Sequence, residues 1–235
     1  MRIFLISTPP LDVYEHMAFD ESLARSCDKN KEQFFLRFYN WGDEARPAMT
    51  FGYAQFFDEI QKEMLKNNFR GQFTRRPTGG GVVYHDGDLT FSCVFTSDIT
   101  RPNIIYNKLH GAINKKLEAN MFAPALFAPA GYAPSKNETA SACFSSPVPD
   151  DIMDDGGKKI LGGAIRRFDN IVLYQGSLQM PGARGRTHLI NSIKQAVEEE
   201  WDAETSDLSF SEHYINNIKR NAVSLYKSDG WNKKF

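Results

Sequence analysis

The stretch from Arg75 to Phe95 constrains this chain most: Arg-Arg-Pro-Thr-Gly-Gly-Gly-Val-Val-Tyr-His-Asp-Gly-Asp-Leu-Thr-Phe-Ser-Cys-Val-Phe. Gly79, Gly80 and Gly81 remove every Cβ from one side of the backbone, so a ligand can approach the main-chain N–H groups. Arg75 and Arg76 place fixed positive charge beside that opening, suited to a carboxylate, a phosphate or a phosphopantetheine arm. A β-branched run then ends in Tyr84, His85 and Asp86, and a second strand-like run covers Leu89 to Phe95. A glycine-rich hairpin with solvated arginines has the same residues, and short glycine motifs recur widely. The surrounding pattern therefore matters.

Apolar periodicity predicts a helix over Tyr14 to Ser26 and a charged amphipathic helix over Phe56 to Asn67. Ile105, Leu109, Ala112, Ile113 and Leu117 form a helical stripe whose role is core packing. Strands are expected at Phe34–Tyr39, Ala48–Tyr53 and Leu89–Phe95, and at Lys159–Arg167 and Asn170–Gln179 across an Asp169-Asn170 turn. Arg186 to Glu200 reads as a helix. Ser209 followed by Glu212 is a capping-box pattern opening a last helix with Ile215, Ile218, Ala222 and Leu225 as its stripe. Hairpin-connected strands with grouped helices predict an α+β fold with a mainly antiparallel sheet. The expected organisation is one domain over 1–235, with 186–235 a helical C-terminal cap.

With 41% hydrophobic and 24% charged residues the chain is ordinary globular material. A net charge of −1 gives no reason to expect nucleic acid or a membrane surface as partner. No run approaches the length of a membrane-spanning helix, and the expected location is the cytoplasm. Cys27, Cys93 and Cys143 are scattered without metal-type spacing, so free thiols and no metal site are expected.

The pattern Arg-Arg-x-Thr/Ser-Gly-Gly-x-x-Val-x-His-Asp, carried here by Arg75 to Asp86, resembles the lipoate-protein ligase and octanoyltransferase family, which shares its catalytic fold with biotin-protein ligase. Met17–Glu21, Leu36–Trp41 and Thr50–Gln55 also look like the octanoyltransferase branch, and the resemblance covers roughly Met17 to Gln179. It implies a central mixed sheet flanked by helices. It also implies that Tyr84 and His85 line an acyl site together with Arg75, Arg76, Thr78, the three glycines, Gly162, Gly163, Ala164, Gly176 and Ser177.

Two residues are candidates for the chemistry. Lys159 opens the strand Lys-Ile-Leu-Gly-Gly-Ala, where Gly162 and Gly163 thin the backbone so that something can lie against it. Lys158 would point to the opposite face. The family motif Lys-Ile/Val-x-Gly-x-Ala implies that Lys159 contacts the acyl carbonyl. Cys143 sits in a loop, and an unperturbed thiol with a pKa near 8.5 needs a nearby cation to act as a nucleophile at neutral pH. In the octanoyltransferases that use a loop cysteine, Ala-Cys-Phe precedes the lysine strand, as Ala142-Cys143-Phe144 does here. Cys93 reads as core, and Asp88 as a turn residue.

The resemblance thus implies a medium-chain acyltransferase acting through a Cys143 acyl-enzyme, from an acyl-carrier-protein thioester or an acylated lipoyl-type protein to a lysine of a lipoyl domain or glycine-cleavage H-type protein. It needs neither ATP nor metal. Gly81 stands where these transferases often carry arginine. That keeps a ligase using ATP and Mg²⁺ to form an acyl-adenylate as the alternative, and a non-catalytic carrier-binding module as a third.

Overall fold

The computed structural model describes residues 1–43, 47–120, 126–127 and 149–235. An eight-stranded sheet carries the order β11-β1-β2-β6-β10-β9-β8-β7. Its strands are β1 (Arg2–Ser7), β2 (Gln33–Phe38), β6 (Leu89–Thr96), β7 (Leu126–Phe127), β8 (Ile152–Met153), β9 (Lys159–Phe168), β10 (Ile171–Leu178) and β11 (Thr205–Ser209). The β11–β1 and β1–β2 pairings are parallel and the others antiparallel, so the expected mixed, mostly antiparallel sheet is present. A second sheet of three strands, in the order β4-β3-β5, was not foreseen. It joins β3 (Ala48–Phe51), β4 (Gln72–Arg75) and β5 (Val83–Tyr84) and backs onto α2 (Phe57–Lys66).

Helices cover both faces of the large sheet. On one face, α3 (Pro102–Asn120) and α4 (Thr187–Glu200) bury Leu109, Ile113, Leu189 and Ile193 against Phe34, Phe91 and Tyr174. On the other, α1 (Val13–Ser26) and α5 (Glu212–Asn221) bury Phe19, Leu23 and Ile218 against Val94 and Leu173. Covered on both sides, β10 is buried from end to end and reads as a continuous apolar run, Ile-Val-Leu-Tyr. Each large apolar side chain buried this way contributes about 1.5–3 kcal/mol.

Local chemistry sets the ends. Asp12 caps α1, accepting from Glu15 N–H at 2.8 Å while the Glu15 carboxylate accepts from Asp12 N–H at 2.9 Å. The β9–β10 hairpin turns at Asp169, whose φ of 57° is tolerated by a short polar side chain. The cap of α5 is Ser211 rather than Ser209, because Ser209 ends β11. The stretch after Arg186 is therefore not helical throughout: β11 adds an edge strand to β1. Among the described residues no helix is long and apolar enough to cross a membrane.

Candidate functional site

The glycine-rich loop is seated by its neighbours. A Cβ on Gly52 would lie 1.8 Å from the Gly80 carbonyl oxygen, so only glycine lets the two backbones touch. Gly80 itself adopts a φ of 85°. Arg76, buried, donates from Nε and Nη2 to the Gly79 carbonyl at 3.0 and 2.5 Å. The Thr78 hydroxyl donates to Gln175 Oε1 at 2.7 Å, tying the loop to β10. Gly81 is half-buried beside them.

Arg75 does something different from its neighbour. Its fully buried guanidinium donates to the carbonyls of Tyr53, Gln55, Trp231 and Asn232 at 2.6–3.0 Å, and to Gly52 at 3.4 Å. It clamps the 52–55 turn to α6 (Asp229–Asn232) and lines none of the hollows described below. Arg75 is the last residue of β4 and Arg76 the next, so extended-chain alternation sends the two side chains to opposite faces.

A narrow hollow lies over β9 and β10, lined by Arg76, His85, Gly162, Gly163, Ala164, Gly176 and Ser177. Antiparallel register brings these together: Gly162 pairs with Ser177, Gly163 with Gly176, and Ala164 with Gln175. The glycines answer a packing demand from the far face. A Cβ on Gly163 would lie 2.3 Å from the Tyr174 ring, and one on Gly176 would lie 2.7 Å from both Phe91 and Tyr174. Tyr84, by contrast, turns away from His85 and lines a separate cleft with Lys158, Lys159, Asp86, Asp88 and Gln179. Tyr84 ends β5 and His85 follows it, so extended-chain alternation separates the two.

Two buried polar clusters wall the hollow. In one, Asp20 accepts from Arg37 Nη2 at 2.5 Å, Ser92 at 2.8 Å, Gln175 Nε2 at 2.8 Å and the Tyr39 hydroxyl. Arg37 Nη1 also donates to His16 Nδ1 at 2.9 Å. In the other, Asp88 Oδ2 lies 2.9 Å from His85 Nδ1 and accepts from Thr90 at 2.8 Å and Ser177 at 2.5 Å. Burial pushes the Asp88 carboxyl up, but His85, Ser177 and Thr90 outweigh it and hold the group below its ordinary value. His85 Nε2 meets the Thr50 hydroxyl at 3.0 Å, and its ring lies against Trp41. Asp88 is thus the centre of a buried network, not a plain turn residue.

Lys159 is 2% exposed, with Nζ 2.8 Å from Asp151 Oδ2; Lys158 is exposed. An irregularity in the β8–β9 register aims it: Ile152 pairs with Leu161, but Met153 pairs with Lys159, leaving Ile160 extra. A larger cleft, lined by Gly79, Gly80, Asn103, Tyr106 and Asp150, shares Gly163 and Ala164 with the narrow hollow. A slender chain entering there would pass over β9 into the hollow. Cys143 lies outside the described residues. The other two cysteines are poor nucleophiles. Burial pushes the Cys27 thiol up to about 12, and burial with the Asp20 charge pushes Cys93 well above its ordinary value.

Asp20, Gln175, Asp151 and Tyr106 escaped the sequence reading. The legible signal was His16 and Asp20, four residues apart on an otherwise apolar helix face.

The buried imidazoles set a pH dependence. Burial lowers His110 to about 3, and burial with Arg37 beside it holds His16 well below the ordinary range. Unfolded histidine binds a proton near pH 6.5 and these folded ones do not, so stability is full above about 6.5 and is lost as pH falls toward 3. By pH 5 each should cost about 2 kcal/mol. Melting temperatures at pH 7.5 and 5 should differ markedly, and His110→Gln should roughly halve the difference, His16 supplying the rest; an unchanged wild-type value would mean the imidazoles protonate in the fold.

The fold is that of lipoate-protein ligases. Solved structures share the fold: the bi-partite lipoate protein ligase of Thermoplasma acidophilum superposes with TM-score 0.72 at 21% identity over 99% of this chain and 96% of that one. Lipoate-protein ligase A bound with ATP superposes with TM-score 0.73 at 23% identity over 99% of each. The chain belongs to the lipoyl protein ligase A/B catalytic domain family, whose model matches residues 12–208. Curated relatives named octanoyltransferase LipM include those of Moorella thermoacetica (33% identical, 74% of this chain and 63% of that one), Brevibacillus brevis (30%, 81% and 75%) and Bacillus cereus (26%, 93% and 93%). This chain thus spans about three fifths of the Moorella relative's length.

Proposed function

We propose that this protein is an octanoyltransferase that moves a medium-chain acyl group from a carrier-protein thioester to a lysine of a lipoyl-type domain. The observation that carries the reading is the buried Lys159 at the start of the strand whose Gly162, Gly163 and Ala164 line a narrow, mostly apolar hollow. The similarity to relatives named octanoyltransferase LipM supports it. The Cys143 thiolate attacks the donor thioester carbonyl; the carrier C–S bond breaks, and the carrier thiol leaves with a proton. The acceptor lysine amine then attacks the acyl-enzyme, forming the amide and returning the Cys143 thiol. Lys159 balances the charge of the thiolate and of the developing oxyanion, with main-chain N–H groups near Gly79–Gly81 assisting. Thioester to amide runs downhill, so the reaction requires neither ATP nor metal.

Intact-protein mass spectrometry after incubation with octanoyl-carrier protein, without ATP, tests this. Wild type should gain one hydroxylamine-labile octanoyl group; Cys143→Ala should gain none and lose transfer by at least about 10³-fold. Full transfer by Cys143→Ala sinks the acyl-enzyme. Acylation only with free octanoate and ATP would establish the ligase instead, a reaction that needs Mg²⁺ as well.

A further inference from the structure

Beside Lys159 the structure holds a directed polar relay that no part of the proposed mechanism has used. The Tyr106 hydroxyl accepts from Gly163 N–H at 3.0 Å and donates to Asp151 Oδ1 at 2.5 Å. Its one proton can point only at the carboxylate, because a main-chain N–H must be met by a lone pair. Burial pushes this phenol well above its ordinary value, so it stays a donor. The other oxygen of Asp151 holds Lys159 at 2.8 Å, and Asp151 is fully buried. The backbone beneath is pinned as well. His110 Nδ1 lies 2.8 Å from the Asp150 carbonyl, which can only accept, so Nε2 accepts from the Tyr174 hydroxyl at 2.7 Å. Tyr174 in turn fills the space that Gly163 and Gly176 leave open.

We infer that Tyr106 and Asp151 are positioning residues that lock the Lys159 ammonium to the glycine strand lining the acyl hollow. The inference rests on the octanoyltransferase reading for what Lys159 does, and on geometry alone for what holds it. One hydroxyl couples two things that must stay in register: Gly163, over which the acyl group lies, and the carboxylate that aims the ammonium at its carbonyl. A misplacement of about 1 Å at such a centre costs on the order of 100-fold in rate. Neither residue touches the reacting atoms.

The test uses the full-length protein as wild type, Tyr106→Phe and Asp151→Asn. Tyr106→Phe keeps the ring and its packing and deletes only the relay oxygen. The rate of octanoyl adduct formation should fall about 10- to 100-fold in Tyr106→Phe and further in Asp151→Asn, with the KM for octanoyl-carrier protein within about twofold of wild type. A second readout needs no transferase activity: acetylation by a water-soluble N-hydroxysuccinimide ester, mapped by peptide mass spectrometry. Lys159 borders the cleft it shares with exposed Lys158, so once released it should label at least about fivefold faster in either variant while Lys158 is unchanged. Unchanged Lys159 labelling, or adduct formation at the wild-type rate in both variants, overturns the inference. Absence of an adduct on wild type would instead overturn the octanoyltransferase reading, and the labelling result would still decide the positioning role.

Discussion

The Asp20→Ala protein should lose about 3–5 kcal/mol of unfolding free energy, because the change leaves a fully buried guanidinium without its counter-ion. For a chain of this size that is a drop of roughly 10 °C or more in melting temperature. Asp20 also accepts from Ser92, Gln175 and Tyr39; the Ser92 and Tyr39 hydroxyls lose this acceptor, while Gln175 keeps the Tyr39 oxygen. Asp20→Asn should be nearly as damaging, since an amide fits the same space but does not neutralise Arg37. Pairing Asp20→Leu with Arg37→Met should recover much of the loss, as replacing a whole buried pair by apolar side chains commonly does. Urea unfolding of the four proteins decides it. A single Asp20→Ala loss under about 1 kcal/mol would mean the cluster rearranges, and that the wall of the hollow is softer than its geometry indicates.

Gly52→Ala should have the second largest effect, and its first target is the site rather than the core. The new methyl meets the Gly80 carbonyl at 1.8 Å, backbone against backbone, with the Gly79 carbonyl carbon only 3.0 Å away. No side chain can swing aside to relieve this. Either the 52–55 turn or the glycine loop must move, and Arg75 ties the turn to Trp231 and Asn232 through their carbonyls. The loop is therefore the part that yields, and acyl transfer should fall at least about 100-fold. The stability cost should be about 1–3 kcal/mol, the usual range for overpacking. Transfer within a few-fold of wild type would show that the Gly79–Gly81 backbone takes no part in holding the acyl group. Gly79→Ala is the contrasting control, because a Cβ there meets nothing within 4 Å.

Much of the fold was legible in one dimension. The α1, α3 and α4 stripes, the β9–β10 hairpin with its Asp169 turn and the strand at β6 follow from apolar period and turn chemistry, which act over a few residues. The motif residues were legible too: Arg76, Thr78, His85, Gly162, Gly163, Ala164, Gly176 and Ser177 all meet around or beside one hollow. What misled were features whose meaning depends on a distant neighbour. Arg75 looks like an anion ligand until carbonyls from residues 231 and 232 fill its fork. Asp88 looks like a turn until Ser177, 89 residues away, donates to it. Gly163 looks like room for a ligand until Tyr174 occupies it from the next strand.

The amino-acid sequence by itself determined the longer helices and strands, the family and the set of residues from which the site is drawn, since periodicity, glycine spacing and motif order are local properties of the chain; the short strands β4, β5 and β11 were decided by their pairing. Only the tertiary structure decided which of those residues face one another. A buried polar group is stable only when its partners arrive with it, and those partners, Gln175 for Thr78 or Asp151 for Lys159 and Tyr106, are delivered by strand register and by one irregular pairing at β8–β9.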